Sequence, residues 1–241
     1  QAVTRVDVGG RLYDMDVRLR PLGRSGELAI TINDFRKYFS HGGGQVWERQ
    51  ALCKARPVWG SGIAQVTTMN CIREILSQGN WTPQLTQQVL EHRLELQRDS
   101  SRHNMKRGIG GTMDVEFVVQ LLQLIHVKDH PQLLIPGTLD ALRALQATQV
   151  LEAEVAEQLY ADYEFLRRVE SAIRLMNMSA RHELPQSDRE LQQLAFLMSA
   201  SRNSPPMASS QIIPRCDQVR ANCRRTFNAV FERYLPISDS A

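Results

Sequence analysis

Apolar and polar positions alternate along the first thirty residues and then change period. Residues 3–8 and 11–20 are extended runs on either side of Gly9-Gly10. Paired glycines between alternating runs predict a hairpin, because both turn residues can take positive φ. A third extended run, residues 27–32, follows the loop Pro21-Leu22-Gly23-Arg24-Ser25-Gly26, and Asn33 is placed to cap a helix over 34–40. Beyond that point the pattern is helical. Residues 45–59 put Trp47, Ala51, Ala55 and Trp59 on one face, and helices are expected over 65–77, 82–101, 112–127, 139–147, 151–178, 187–199 and 218–234. The run 112–127 is apolar nearly all round and reads as a buried helix. Along 151–178, Val155, Leu159, Tyr163, Leu166, Val169, Ile173 and Met176 recur in steps of three and four. Residues 200–215, rich in Ser, Pro and Asn, read as a mobile loop. Trp47, Trp59 and Trp81 are expected as core anchors, and there is no internal repeat.

The fold class expected is therefore α+β and mostly α: a short antiparallel sheet remnant over residues 1–62, then a helical bundle over 63–241. Three strands are a poor domain alone, so further strands are expected upstream of Gln1. Composition narrows the functional classes. The chain has 241 residues and a net charge of +3, with acids and bases interleaved. That balance argues against a sequence-independent grip on nucleic acid, and no apolar run reaches the roughly 20 residues a membrane span needs. Cys53, Cys71, Cys216 and Cys223 form no metal-spaced pair; they read as small core residues and suit a reducing cytoplasm.

Two segments carry candidate chemistry. In the run 11–20 the odd positions Tyr13, Met15, Val17 and Leu19 are apolar, and the even positions Asp14, Asp16, Arg18 and Arg20 are charged. A two-residue turn would pair Arg5 with Asp14, which gives Asp14 a structural partner. The same register sets Asp16 opposite Val3. A carboxylate left free beside Arg18 and Arg20 suits a divalent cation and a polyphosphate; a solvated face with cross-strand ion pairs is the competing reading. The second segment runs Lys106-Arg107-Gly108-Ile109-Gly110-Gly111-Thr112-Met113-Asp114-Val115-Glu116-Phe117. It reads either as a helix N-terminus offered to an anion or as a tight turn whose acids suit the helix dipole. Asp114 heads the apolar stripe of Val118, Leu121 and Ile125, so its carboxylate needs a basic partner. Glu116, Gln120 and Gln123 form a separate polar stripe.

Three blocks in order carry a resemblance. Tyr13-Asp14-Met15-Asp16-Val17-Arg18-Leu19-Arg20-Pro21 with Gly23, Ser25 and Gly26 resembles the adenylyltransferase and adenylyl-removing enzymes of bacterial glutamine synthetase. The block from Trp47-Glu48-Arg49-Gln50-Ala51-Leu52 to Lys54-Ala55-Arg56-Pro57 is similar to that family's next block, and Lys106 to Gln120 to its third. The resemblance implies a DNA-polymerase-β-like nucleotidyltransferase fold that holds two metal ions on three carboxylates. Two of these come from a G-S-D-x-D motif and the third corresponds to Asp16. It implies AMP transfer from ATP to a tyrosine of glutamine synthetase, or removal by phosphorolysis, with Mg²⁺ as the metal and the PII signalling protein as a partner. Under it, Asp16 is the catalytic metal ligand. Arg18, Arg20, Arg24, Ser25 and Gly26 are nucleotide-binding, and Lys106, Gly110, Gly111, Asp114 and Glu116 are candidates at the domain junction. No G-S-D-x-D occurs in the 241 residues; Ser187-Asp188 and Ser238-Asp239 lack the second acid. The pair is expected upstream, and the chain alone is expected to be inactive. A PII uridylyltransferase with a related helical domain, and a regulatory module that only binds a protein, are the alternatives.

Overall fold

A computed structural model describes residues 20–40, 43–177, 182–199 and 207–236. The chain divides into two compact units, Gln1–Gln78 and Gly79–Ala241. Except for Arg20, the expected hairpin lies outside the described residues. Among those residues there is no sheet, only an isolated antiparallel bridge between Asn104 and Glu183.

In the first unit, α1 (Ile32–Ser40), α2 (Val46–Leu52) and α3 (Gly62–Ser77) close on a small core of Phe39, Cys71 and Ile75, flanked by Ile32, Phe35, Tyr38 and Leu52. The expected strand over 27–32 is absent. Leu28 and Ile30 are exposed and pair with no strand among the described residues, and Thr31 ends the segment as a helix cap. The Thr31 hydroxyl accepts from the Asp34 N–H at 3.1 Å and donates to the Asp34 carboxylate at 2.7 Å. That reciprocal pair starts α1 two residues before the expected cap at Asn33. The helix expected over 45–59 stops at Leu52. Pro57 pushes the residue before it out of the helical region, and Trp59, expected in the core, is 92% exposed. The sequence expectation divides the domains at 62/63. The compact units divide at 78/79 because α3 packs on α1 and α2.

The second unit contains α4 (Pro83–Arg98), α5 (Thr112–His126), α6 (Thr138–Ala147), α7 (Ala153–Asn177), α8 (Asp188–Ser199) and α9 (Ser209–Tyr234). Helix α5 is the hub and packs against α4, α6, α7 and α9. It is buried on nearly every side, as its sequence pattern requires. The α7 stripe predicted from periodicity supplies Leu159, Tyr163, Leu166, Val169 and Ile173 to the core. All four cysteines are buried and free, and burial pushes the thiols of Cys53 and Cys216 up to about 12. Helix α9 starts at Ser209, well inside the expected loop. Pro214 stands near its beginning, where a missing N–H costs one hydrogen bond and the ring has few turns behind it to disturb.

Candidate functional site

Asp16 and Arg18, the core of the expected metal and nucleotide site, lie outside the described residues, as does the side chain of Arg24. Downstream of them the chain winds into a tight turn. The N–H groups of Gly23, Ser25 and Gly26 donate to the carbonyls of Arg20, Leu22 and Gly23 at 2.8, 3.2 and 3.3 Å. The Arg20 guanidinium folds back on the Gly23 carbonyl at 2.8 Å. A Cβ on Gly26 would stand 2.1 Å from the Pro21 carbonyl oxygen, so the turn closes only on glycine. Backbone donors that could have cradled a phosphate are thus used inside the turn.

The second block is a clamp within the first unit. Glu48 is buried, accepts the Gln45 N–H at 2.7 Å and receives the Tyr38 hydroxyl on both oxygens at 3.0 Å. Burial and then the Glu48 carboxylate raise the Tyr38 phenol. Arg49 donates to the Phe39 carbonyl near the end of α1 and to the Ile75 carbonyl near the end of α3, each at 3.0 Å. A cation on two helix C-termini satisfies orphan carbonyls and opposes both dipole ends.

The third block folds around Asn104. Its side-chain oxygen accepts the N–H groups of Lys106 and Arg107 at 3.0 and 2.7 Å. The first N–H groups of α5, those of Thr112 and Met113, donate to the carbonyls of Met105 and Lys106 at 3.0 and 3.1 Å. The helix N-terminus is therefore filled by its own preceding loop, and of the two sequence readings the tight turn is the one realised. Gly110 has φ +70, and a Cβ there would stand 2.0 Å from the Arg220 carbonyl oxygen of α9. This glycine lets the loop lie against the backbone of α9.

Asp114 meets basic groups, as its place on an apolar stripe demands. The Arg93 Nη2 from α4 stands 2.5 Å from Oδ1, with both side chains fully buried. The Arg224 Nη1 from α9 stands 3.3 Å from Oδ2, and the Gly110 N–H donates to the same oxygen at 2.8 Å. The Arg93 Nη2 also donates to the carbonyls of Arg107 and Gly108 at 3.0 and 3.1 Å. Burial lowers the Arg93 pKa and the Asp114 charge opposes that fall. One carboxylate thus joins α4, α5, α9 and the glycine loop. All these partners belong to the second unit, so the role of Asp114 within that unit is to hold its helices together. Glu116 accepts the Tyr163 hydroxyl from α7 at 2.9 Å, and the Gln123 amide donates to the carbonyls of Leu133 and Ile135 at 2.7 and 2.9 Å. Sequence reasoning missed Arg93 and Arg224. The signal was present for Arg93, which continues the buried spacing Thr86, Val89, Arg93 on α4.

Among the described residues no three His, Cys, Asp or Glu side chains gather closely enough to hold a metal ion. No described helix is long and apolar enough to cross a membrane.

Comparison with known proteins follows the same division of the chain. Residues 1–70 match the family model of glutamate-ammonia ligase adenylyltransferase, and residues 82–231 match that of GlnD PII-uridylyltransferase. The gap between the two matches spans the boundary between the compact units. The chain is 35% identical over 195 residues to the bifunctional glutamine synthetase adenylyltransferase/adenylyl-removing enzyme of Thioalkalivibrio sulfidiphilus, covering 78% of this chain and 20% of that protein. It is 35% identical over 184 residues to the protein of that name from Mycobacterium tuberculosis, covering 74% and 18%. It is 32% identical over 248 residues to that from Agrobacterium fabrum, covering 96% and 24%. The chain therefore spans between 18% and 24% of the length of these curated relatives. Its helical unit carries the GlnD PII-uridylyltransferase family match, and the chain as a whole belongs to the glutamine synthetase adenylyltransferase/adenylyl-removing enzyme family.

Proposed function

We propose that this chain is a portion of an enzyme that transfers AMP from ATP to a tyrosine of glutamine synthetase, or removes it by phosphorolysis. The observation that carries this reading is the junction itself: a segment of adenylyltransferase type, containing Asp16 and the charged run 11–20, continues into a uridylyltransferase-type bundle. Within that enzyme Asp16 binds Mg²⁺ together with two acids of a G-S-D-x-D motif. Arg18 and Arg20 face the triphosphate, and Arg24, Ser25 and Gly26 line the nucleotide. The metal supplies charge stabilisation for the transferred phosphoryl group. The role of this chain's own residues is to place one carboxylate and to hold it beside two guanidinium groups. Lys106, Gly110, Gly111, Asp114 and Glu116 brace the helical bundle. The PII protein is a proposed regulatory partner, and the cytoplasm the proposed compartment.

Because the 241 residues contain no G-S-D-x-D, they are expected not to transfer AMP by themselves. In the full-length protein, Asp16→Asn is expected to abolish AMP incorporation into glutamine synthetase while leaving the thermal midpoint near that of the parent. Turnover that survives the substitution would refute the metal role. A second reading, uridylylation of PII, is favoured by the match over residues 82–231. Nucleotide choice separates the two: ATP supports the first reading and UTP the second.

A further inference from the structure

A groove of about 830 Å³ runs along one face of α9, walled by Arg102, His103 and Ile109 together with Leu184 and Gln186, two segments joined where the Leu184 N–H donates to the His103 carbonyl. Asp217, Arg220, Arg224 and Asn228 recur on α9 at helical spacing and line it, with Arg225 beside them. Arg102 enters from the facing loop, and Ile109, Leu184 and Ile213 give it an apolar floor. Four arginines face one carboxylate, Asp217, which is two turns of α9 away from Arg224.

The charge is set in place by the fold. Arg220 is pinned by donating to the Ile109 carbonyl at 2.9 Å and the Arg102 carbonyl at 2.7 Å, bonds that fix its direction and leave its charge unneutralised. Arg224 shares Asp114 with the fully buried Arg93. Two guanidinium groups and one carboxylate carry one excess positive charge, and the member of the trio that reaches the groove is Arg224. Among the described residues the Arg102 side chain donates to the neighbouring His103 ring alone, at 3.0 Å. Among the described residues Arg225 has no hydrogen-bond or ion-pair partner. Guanidinium forks match phosphate oxygens, and preorganised ones lose little freedom on binding. The volume lies in the small-molecule range. The lining has no aromatic anchor of the kind a protein partner would use.

We propose that this groove binds a polyphosphate-bearing small molecule, with Arg102, Arg220, Arg224 and Arg225 gripping adjacent phosphates. The site is built entirely from the second unit and does not involve Asp16 or a metal ion. A free pyrophosphate and a nucleoside diphosphate share the required chemistry. In the second case the nucleoside would lie on Ile109 and Ile213 with the Gln186 and Asn228 amides at its edge.

The test is calorimetric titration of the 241-residue chain with pyrophosphate and with ADP, at low salt and with EDTA present. Saturable one-to-one binding is expected. The Arg102→Ala/Arg225→Ala double variant is expected to weaken it by about a hundredfold, since each of the two lost charge-assisted contacts is worth about tenfold. Both side chains are exposed, and circular dichroism should match the parent. Asp16→Asn should leave the affinity unchanged, which separates this site from the proposed catalytic one. ADP binding tighter than pyrophosphate assigns the nucleoside to the groove, and equal affinities assign the phosphates alone; both uphold the site. Binding that is indifferent to the double variant, or abolished by Asp16→Asn, overturns it. So does failure of both phosphates to bind while polyglutamate does, which would make the groove a seat for an acidic polypeptide.

Discussion

Asp114→Ala removes the one carboxylate that Arg93 holds among the described residues, and the cost can be worked from the geometry. Arg93 is fully buried on α4, so the variant leaves a guanidinium charge with two backbone carbonyls for company. Breaking a buried pair from one side costs about 3–5 kcal/mol. The Gly110 N–H loses its acceptor as well, a further contribution of about 1–3 kcal/mol that does not simply add. Against the roughly 5–15 kcal/mol that holds a typical domain, this single change should bring the second unit to the edge of unfolding. Urea unfolding followed by fluorescence is the assay. Trp81 is the tryptophan of the second unit, so a Trp47→Phe/Trp59→Phe background makes the signal specific to it. Arg93→Met should cost less, because Asp114 keeps Arg224 and the Gly110 N–H. The double variant Arg93→Met/Asp114→Leu should be more stable than Asp114→Ala, since no buried charge then stands alone. A loss under about 1 kcal/mol for Asp114→Ala would refute the account, because it would mean that water or a rearranged side chain satisfies Arg93.

Gly110→Ala is expected to destabilise the second unit by about 3 kcal/mol or more, through a Cβ 2.0 Å from the Arg220 carbonyl oxygen at a φ of +70; an unchanged urea midpoint would contradict that packing. Arg49→Lys should cost about 1–3 kcal/mol of first-unit stability, because an ammonium cannot span the Phe39 and Ile75 carbonyls as the fork does. Equal thermal midpoints for the two proteins would count against it. Asp162 is buried on α7, and burial raises its carboxyl pKa above 3.8, against the opposing pull of Gln158, Asn222 and Arg215. A raised folded pKa gives stability that is full below 3.8 and lost as the pH climbs through the folded value. Asp162→Asn should thus be more stable than the parent at pH 7, with the advantage vanishing at acid pH; parallel stability–pH curves would disprove it.

How far the sequence could be read depended on what decides each element. The helices of the second unit were legible because burial on a 3.6-residue period leaves a mark that short-range chemistry rarely disguises. Val155, Leu159 and Tyr163 spell α7 before any contact is known. Where local chemistry and burial disagree, burial decides the element and the local pattern misleads. The segment at 27–32 has β-type residues, but an apolar residue needs something to cover it, and Leu28 and Ile30 stay exposed among the described residues. Ser209, Ser210 and Pro214 look like a loop in isolation; the buried Ile212, Cys216 and Val219 behind them make a helix.

The charged residues were harder, because the sequence shows a charge without showing what it is pointed at. Arg49, Glu48, Asp114 and Arg93 carry the look of catalytic chemistry, and each is tied to helix ends or to a buried partner. The apparent anion cradle before α5 is filled by its own loop. Glycine in that loop answers to the backbone of α9 rather than to a phosphate, a relation between residues 110 apart that spacing along the chain cannot express. A guanidinium whose donors are spent on carboxylates is used up by the fold. One held by carbonyls, or by no described partner, keeps its charge, and where it lines a groove, as Arg220 and Arg225 do, that charge is open to a ligand. Arg220 is held by carbonyls and Arg225 has no partner among the described residues; both line the groove beside α9, and neither charge is neutralised there by an ion pair to a described residue.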